Sequence, residues 1–422
     1  DVGFVDAKAT HDGSITLDST TNDVDILRLR SRNADDDGPG SGDLTYFDAD
    51  GFTVRELQTS NTGDIKLVGG GAIDTESSPI DNGISGTTIS RSTGPNEQAV
   101  VVTNDQPFEV EIEFEVTEAS DVLLRNPNDE TSYTVDNAQT FTIPAYASVT
   151  ALVTAPSGDA TPSFDTNITE TSSGSAALGQ ISADALTVSV QADAAHNITL
   201  DNPSNDVAAI DLQSRNAADD ANRSGVLEFV DASGFSVADI QTADNAVLTA
   251  GGAVTQTNPI VADGLGLSGS GDFTLTNSNN KISTFASDAT GAVDLTSSLA
   301  LGIGSVNPTG VTTSGADFAI TAPSFDSTGQ TINTESDASG GNAGDVTIAT
   351  TDADASGDMS LGAIEASGTA ASSSNSDGGD AGNITLTLGG DTLSIEGAVT
   401  ARGGAGDGSG VDGSDGRLTL VA

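Results

Sequence analysis

GGNAGDVTI, at residues 340–348, returns 38 residues later as GGDAGNITL at 378–386. Each phrase sets a Gly/Asp/Asn corner ahead of a short run in which apolar and polar residues alternate. Period-2 alternation puts Val346 and Ile348, or Ile384 and Leu386, on one face of a strand and the intervening threonine on the other. Glycine at the corners admits the φ > 0 turns that fold one strand sharply into the next. GAIEASG (362–368) is echoed by GAVTARG (397–403), with a partial third echo of the first phrase in GSDGRLTL (413–420). Strands this short cannot bury their apolar faces alone; stacked coils can. The spacing predicts a β-solenoid.

The same grammar runs through ALTVSV (185–190), DFTLTN (272–277), AVDLTSSLALG (292–302) and DFAITA (317–322). Almost no 3.6-residue periodicity occurs, so helix is nearly excluded. A longer repeat lies over this texture. Ile15–Thr59 aligns with Ile198–Thr242 at a constant offset of 183 residues, without gaps, with 24 identities in 45 positions. SRNADDD (31–37) thereby answers SRNAADD (214–220), GGGAI (69–73) answers AGGAV (250–254), and Pro79-Ile80 answers Pro259-Ile260. A whole structural unit is duplicated.

Composition sets the surroundings. The 422 residues carry 13 Lys and Arg against 62 Asp and Glu, a net charge of −49. Such a surface repels phosphates, which excludes nucleic acid as a partner, and it is repelled by anionic lipid. Self-repulsion on this scale calls for screening by salt or divalent cations, the habit of halophilic and marine secreted proteins. Cysteine is absent, which removes thiol nucleophiles, thiolate metal sites and disulfides together. No apolar run approaches the ~18–20 residues of a membrane span. An extracellular or cell-surface location in a salty, calcium-containing medium is expected.

These phrases, with NITLDNPSNDVAAIDLQ (197–213) and VLTAGGAVTQTNPIVADGLGLSGSGDFTLTNSNN (247–280), resemble filamentous-haemagglutinin-like adhesins and related giant bacterial surface proteins. The resemblance implies a right-handed parallel β-helix with a structural or adhesive role. One segment departs from it. From about Asn96 to Phe164 the corners thin out and alternation becomes long and strict, with Val110, Ile112, Phe114 and Val116 opposite Glu109, Glu111, Glu113 and Glu115. TFTIPAYASVTALVTA (140–155) looks like the closing hairpin of an immunoglobulin-like β-sandwich. The expected plan is solenoid over 1–95, an inserted lateral sandwich over 96–165, solenoid over 166–335, and Gly/Asp-rich coils over 336–422.

Several features invite a sharper reading. Arg32 and Arg215 could clamp a ligand, and Asp35, Asp36, Asp37, Asp219 and Asp220 could form cation-binding corners. The simpler reading is a solvated corner closed by local Arg pairing, since duplicated phrases in solenoids mostly encode coil geometry. DADASGD (352–358) spaces Asp352, Asp354, Ser356 and Asp358 like the start of a calcium loop, but Ala363 stands where the closing bidentate Glu belongs. Weak calcium binding is the cofactor expectation. The four-Glu stripe could be a partner patch, although charge on an edge-proximal strand more commonly prevents aggregation. His11 and His196 are the only histidines, so no His triad or Cys/His dyad can form.

Parallel β-helices also carry polysaccharide lyases and glycosidases, which work with paired carboxylates or with basic residues beside calcium-bound uronate. Carboxylates abound here, but there are three Tyr, no Trp and few cations to grip a sugar. An ice-binding surface would need regular Thr-x-Thr ranks, and TLTN and TLTL recur at no constant period. The sequence therefore favours a structural or adhesive protein over an enzyme. Its expected partners are itself, by head-to-tail or lateral assembly, or a surface polysaccharide or protein. Neither DVGFVDAKAT nor GRLTLVA reads as a solenoid cap, which makes end-to-end stacking one expected mode.

Overall fold

The structure, a computed structural model, describes residues 2–36, 38–60, 62–75, 180–352 and 357–422, with the backbone pairing of strands between 84 and 173. Among these residues there is no α-helix. By contacts the chain divides into two units: 1–76 with 179–422, and 77–178.

The larger unit is built from parallel pairings between strands far apart in sequence. Val2–Ala9 pairs with Val24–Ser31, which pairs with Phe52–Gln58; Ile15–Leu17 pairs with Leu44–Asp48, which pairs with Asp64–Gly69. Each strand thus lies against the strand two further along the chain. This succession builds one sheet of 25 strands. A second parallel sheet of six strands runs Phe273–Leu275, Val293–Thr296, Phe318–Ala322, Val346–Thr350, Ile384–Thr387, Leu418–Val421. The arrangement is an all-β, multi-stranded parallel stack, consistent with the solenoid the sequence predicts.

Register makes the core. Because alternate residues face inward, parallel pairing puts like on like: Leu44, Ile65, Leu186, Ile210 and Val237 form one fully buried column. Phe273, Val293, Phe318, Val346 and Ile384 form another. Each such side chain contributes about 1.5–3 kcal/mol by burial. The duplication is faithful in three dimensions. Tyr46 meets Phe52 edge-to-face with centroids 5.0 Å apart, and their counterparts Phe229 and Phe235 do so at 5.2 Å.

A buried asparagine ties coils together at each repeat. Asn205 Nδ2 donates to the Leu200 and Val230 carbonyls at 3.2 and 2.9 Å, while its Oδ1 accepts the Ile181 amide at 2.8 Å. Asn280 repeats the pattern with Leu275, Thr296 and Ile260, and Asn22 donates likewise to Leu17 and Phe47. A side chain with two donors and an acceptor satisfies backbone groups of neighbouring coils that would otherwise be buried unpaired.

In the smaller unit every strand pairing is antiparallel, in one six-stranded and one three-stranded sheet. The side chains of the Glu109–Glu115 stripe lie outside the described residues.

Candidate functional site

The duplicated phrase folds as a clasp. Arg32 Nε donates to Asp36 Oδ1 at 3.3 Å and its Nη2 to the Asp36 carbonyl at 3.3 Å; Arg215 makes the same pair to Asp219 at 3.0 and 3.2 Å. Asp36 and Asp219 sit at φ 57° and 54°, the left-handed region that aspartate tolerates better than most residues. The remaining guanidinium nitrogen reaches Gln58 Oε1 in the first copy and Asn222 Oδ1 in the second. A Cβ at Gly225 would run into the His196 carbonyl, which explains the glycine that follows the clasp.

The candidate aspartates of these corners already serve local hydrogen bonds. Lys8 Nζ lies 2.6 Å from Asp36 Oδ2, and this bond chiefly holds the Asp36 carboxyl below its ordinary range. Asp220 Oδ1 accepts from Asn216 Nδ2 at 2.7 Å. Asp35 is exposed on the same loop, and Asp37 lies outside the described residues. In the other candidate corner Asp358 Oδ1 accepts the Thr392 amide at 2.8 Å, whereas Asp354 and Ser356 lie outside the described residues. The Asp352 amide donates to the Pro323 carbonyl at 3.3 Å. Among the described residues no three His, Asp or Glu side chains gather as metal ligands.

Many corner Asp and Asn residues share one task. Asp317 Oδ1 accepts the Asp345 amide at 2.8 Å, Asp345 Oδ1 accepts the Asn383 amide at 2.7 Å, and Asn383 Oδ1 accepts the Arg417 amide at 3.2 Å. A second ladder links Asn342, Asp380 and Ser414 at 2.8 and 2.7 Å. Each corner presents an acceptor to the backbone of the next coil. The acidity of the chain is thus partly a structural device.

Side by side, the two copies differ in charge. In the first, Arg28 is buried between Asp6 and Glu56, at 3.3 and 2.6 Å. In the second, Asp211 stands at the Arg28 position and pairs in register with Asp239. Burial, with the Asp239 charge adding to it, pushes the Asp211 carboxyl up, against the pull of the Gln213 amide bonded to it at 2.7 Å.

On the six-stranded sheet the register aligns what the sequence scatters. Thr274, Asp294, Ala319, Thr347, Thr385 and Thr419 form one outward rank; Thr296, Thr321, Ala349, Thr387 and Val421 form the next. Asp294, Ala319, Ala349 and Val421 interrupt what would otherwise be a threonine lattice.

Sequence reasoning missed the coil-bridging asparagines. Their signal is a phrase present three times, ITLDSTTN (15–22), ITLDNPSN (198–205) and FTLTNSNN (273–280), each ending in the bridging residue. Comparison with known proteins returns no matching family model, no matching curated protein and no matching solved structure.

Proposed function

We propose that the chain is an extracellular structural or adhesive protein: a right-handed parallel β-helix in the manner of filamentous-haemagglutinin-like surface proteins, carrying an immunoglobulin-like sandwich. The observation that supports this best is the unbroken succession of parallel pairings from Val2–Ala9 to Leu393–Ile395. Such a stack gives reach and stiffness from short repeated coils. Its described polar side chains are largely spent on holding coils together: the bridging asparagines, the corner ladders and the Arg clasps. Its partner is a second surface, either another copy of the chain or a polysaccharide or protein of a cell exterior, and calcium binds weakly at the acidic corners.

Electron microscopy of the purified protein tests the scaffold. Straight rods or filaments are expected, and compact globular particles would overturn the proposal. Retention of protein-coated beads on a bacterial or host surface tests adhesion. Release of unsaturated or reducing sugar from uronate polysaccharides would instead favour the polysaccharide-active alternative.

A further inference from the structure

We infer that the long repeat contains a fixed insertion site, and that residues 76–180 are a module seated in it on a stack already closed beneath. The register carries this. Phe52–Gln58 pairs first with Ile73–Thr75, placing Val54 opposite Thr75, and then with the start of Gln180–Gln191, placing Leu57 opposite Ile181. In the second copy Ser236–Gln241 pairs with Thr255–Gln256, placing Val237 opposite Gln256, and then with Ile260–Val261, placing Ile240 opposite Ile260. Val54 and Leu57 are the counterparts of Val237 and Ile240 at the 183-residue offset. The 105 residues from 76 to 180 therefore take the place of three, Thr257, Asn258 and Pro259.

Hydrogen bonds on both sides of the break agree. The Ile181 amide donates to Asn205 Oδ1 and the Ile260 amide to Asn280 Oδ1, both at 2.8 Å. Thr59 N donates to the Ser182 carbonyl at 3.0 Å, as Thr242 N does to Val261 at 2.9 Å. Ile73 N donates to Asn197, as Val254 N does to Asp272. Ile181, and not the Ile80 that sequence alignment pairs with Ile260, fills this place in the stack; Pro79 and Ile80 themselves lie outside the described residues. Without the 102 extra residues the 183-residue offset becomes 81, close to the 75 that separate Asn205 from Asn280.

The chain leaves opposite Val54 and returns opposite Glu56, two residues or about 7 Å along one strand. Ends this close let a module be added without opening the scaffold. In the second copy Asn258 closes the same gap, donating to the Ala238 carbonyl at 2.7 Å. The site is a property of the repeat, so the loop at 257–259 should accept a module as well. It holds whatever the scaffold binds.

Hydrogen exchange on the intact chain provides the first test. The Thr59 and Ile73 amides should exchange within about tenfold of Thr242 and Val254. Exchange faster by about a hundredfold or more would mean the stack is broken at the insertion and would overturn the inference. Two variants follow. One replaces 76–180 with Thr-Asn-Pro; the other places a second copy of 76–180 at 257–259 in the full chain. Retained protection of Thr59 and Ile73 in the first, or of Thr242 and Val254 in the second, supports a fixed site even if the other junction folds poorly. Loss of the stack in both overturns it.

Discussion

Asn205 Oδ1 accepts the amide of Ile181 at 2.8 Å, so a side chain of one coil fixes the strand that re-enters the stack after the insertion. The same side chain donates to two carbonyls and is fully buried. Asn205→Ala strips partners from three buried backbone groups and should cost about 3–5 kcal/mol. Asn216→Ala, on the exposed clasp, should cost under about 1 kcal/mol. Equal losses in denaturant melts would show that the bridge has no special weight.

Ser287 offers the opposite case. Its Oγ is buried without a hydrogen-bond partner, between Leu267 and Val311 in register, while its amide is satisfied by the Gly310 carbonyl. Ser287→Ala removes an unpaired polar atom and should stabilise by about 1 kcal/mol. Ser297 is also buried, but its Oγ donates to the Ile282 carbonyl at 2.8 Å. Ser297→Ala should therefore destabilise by about 1–3 kcal/mol, and melts that move in the same direction for both would refute the distinction.

Glycine at the ladder corners is needed for approach between coils. A Cβ on Gly382 would collide with the Gly344 carbonyl, and one on Gly416 with that of Gly382. Gly382→Ala should cost about 1–3 kcal/mol and speed exchange of the Asn383 and Arg417 amides. A variant with wild-type melting would show that the corner yields freely.

Stability should rise on mild acidification. Burial raises Asp211, Glu228, Asp231, Asp294, Asp64 and Glu335 above their ordinary values. A carboxyl whose folded value exceeds its unfolded one binds protons preferentially in the folded state. Between the two values stability therefore grows as pH falls. Asp36, held low, opposes this only near the bottom of the carboxylate range. The melting temperature should increase from pH 7.5 toward pH 5, and at neutral pH with NaCl and more steeply with calcium, since each offsets a net charge of −49. A flat profile in both titrations would count against charge repulsion as the main strain on the fold.

Much of this is legible in the sequence, because a period of two residues and a repeated corner leave few alternatives to stacked strands. The Arg32–Asp36 and Arg215–Asp219 clasps realise the local pairing that the duplicated phrase suggests. What escapes the sequence is register. Matching strands of the six-stranded sheet begin 20, 25, 28, 38 and 34 residues apart, so no fixed window brings Thr274 over Asp294 or Thr347 over Thr385. Loop length is free to vary where only the strand must meet its neighbour. The same freedom hides Ile181: identity pairs Ile80 with Ile260, whereas pairing with Leu57 selects a residue 101 positions later.

The hydrogen bond from Thr75 Oγ1 to Asp201 Oδ1 spans 126 residues, whereas the Asn205 bridges span 5 to 25. Chain-closure entropy grows with the logarithm of the loop, so the step from 25 to 126 residues costs about 1.4 kcal/mol more if the intervening segment is still unstructured. Coils on either side can zip up by local contacts, and their junction is the one long-range closure in an otherwise low-contact-order chain. Residues 24–75 and 181–250 should then nucleate as separate seeds. Their docking should be the slow kinetic step, and it should quicken once the module between them has folded and drawn its ends together.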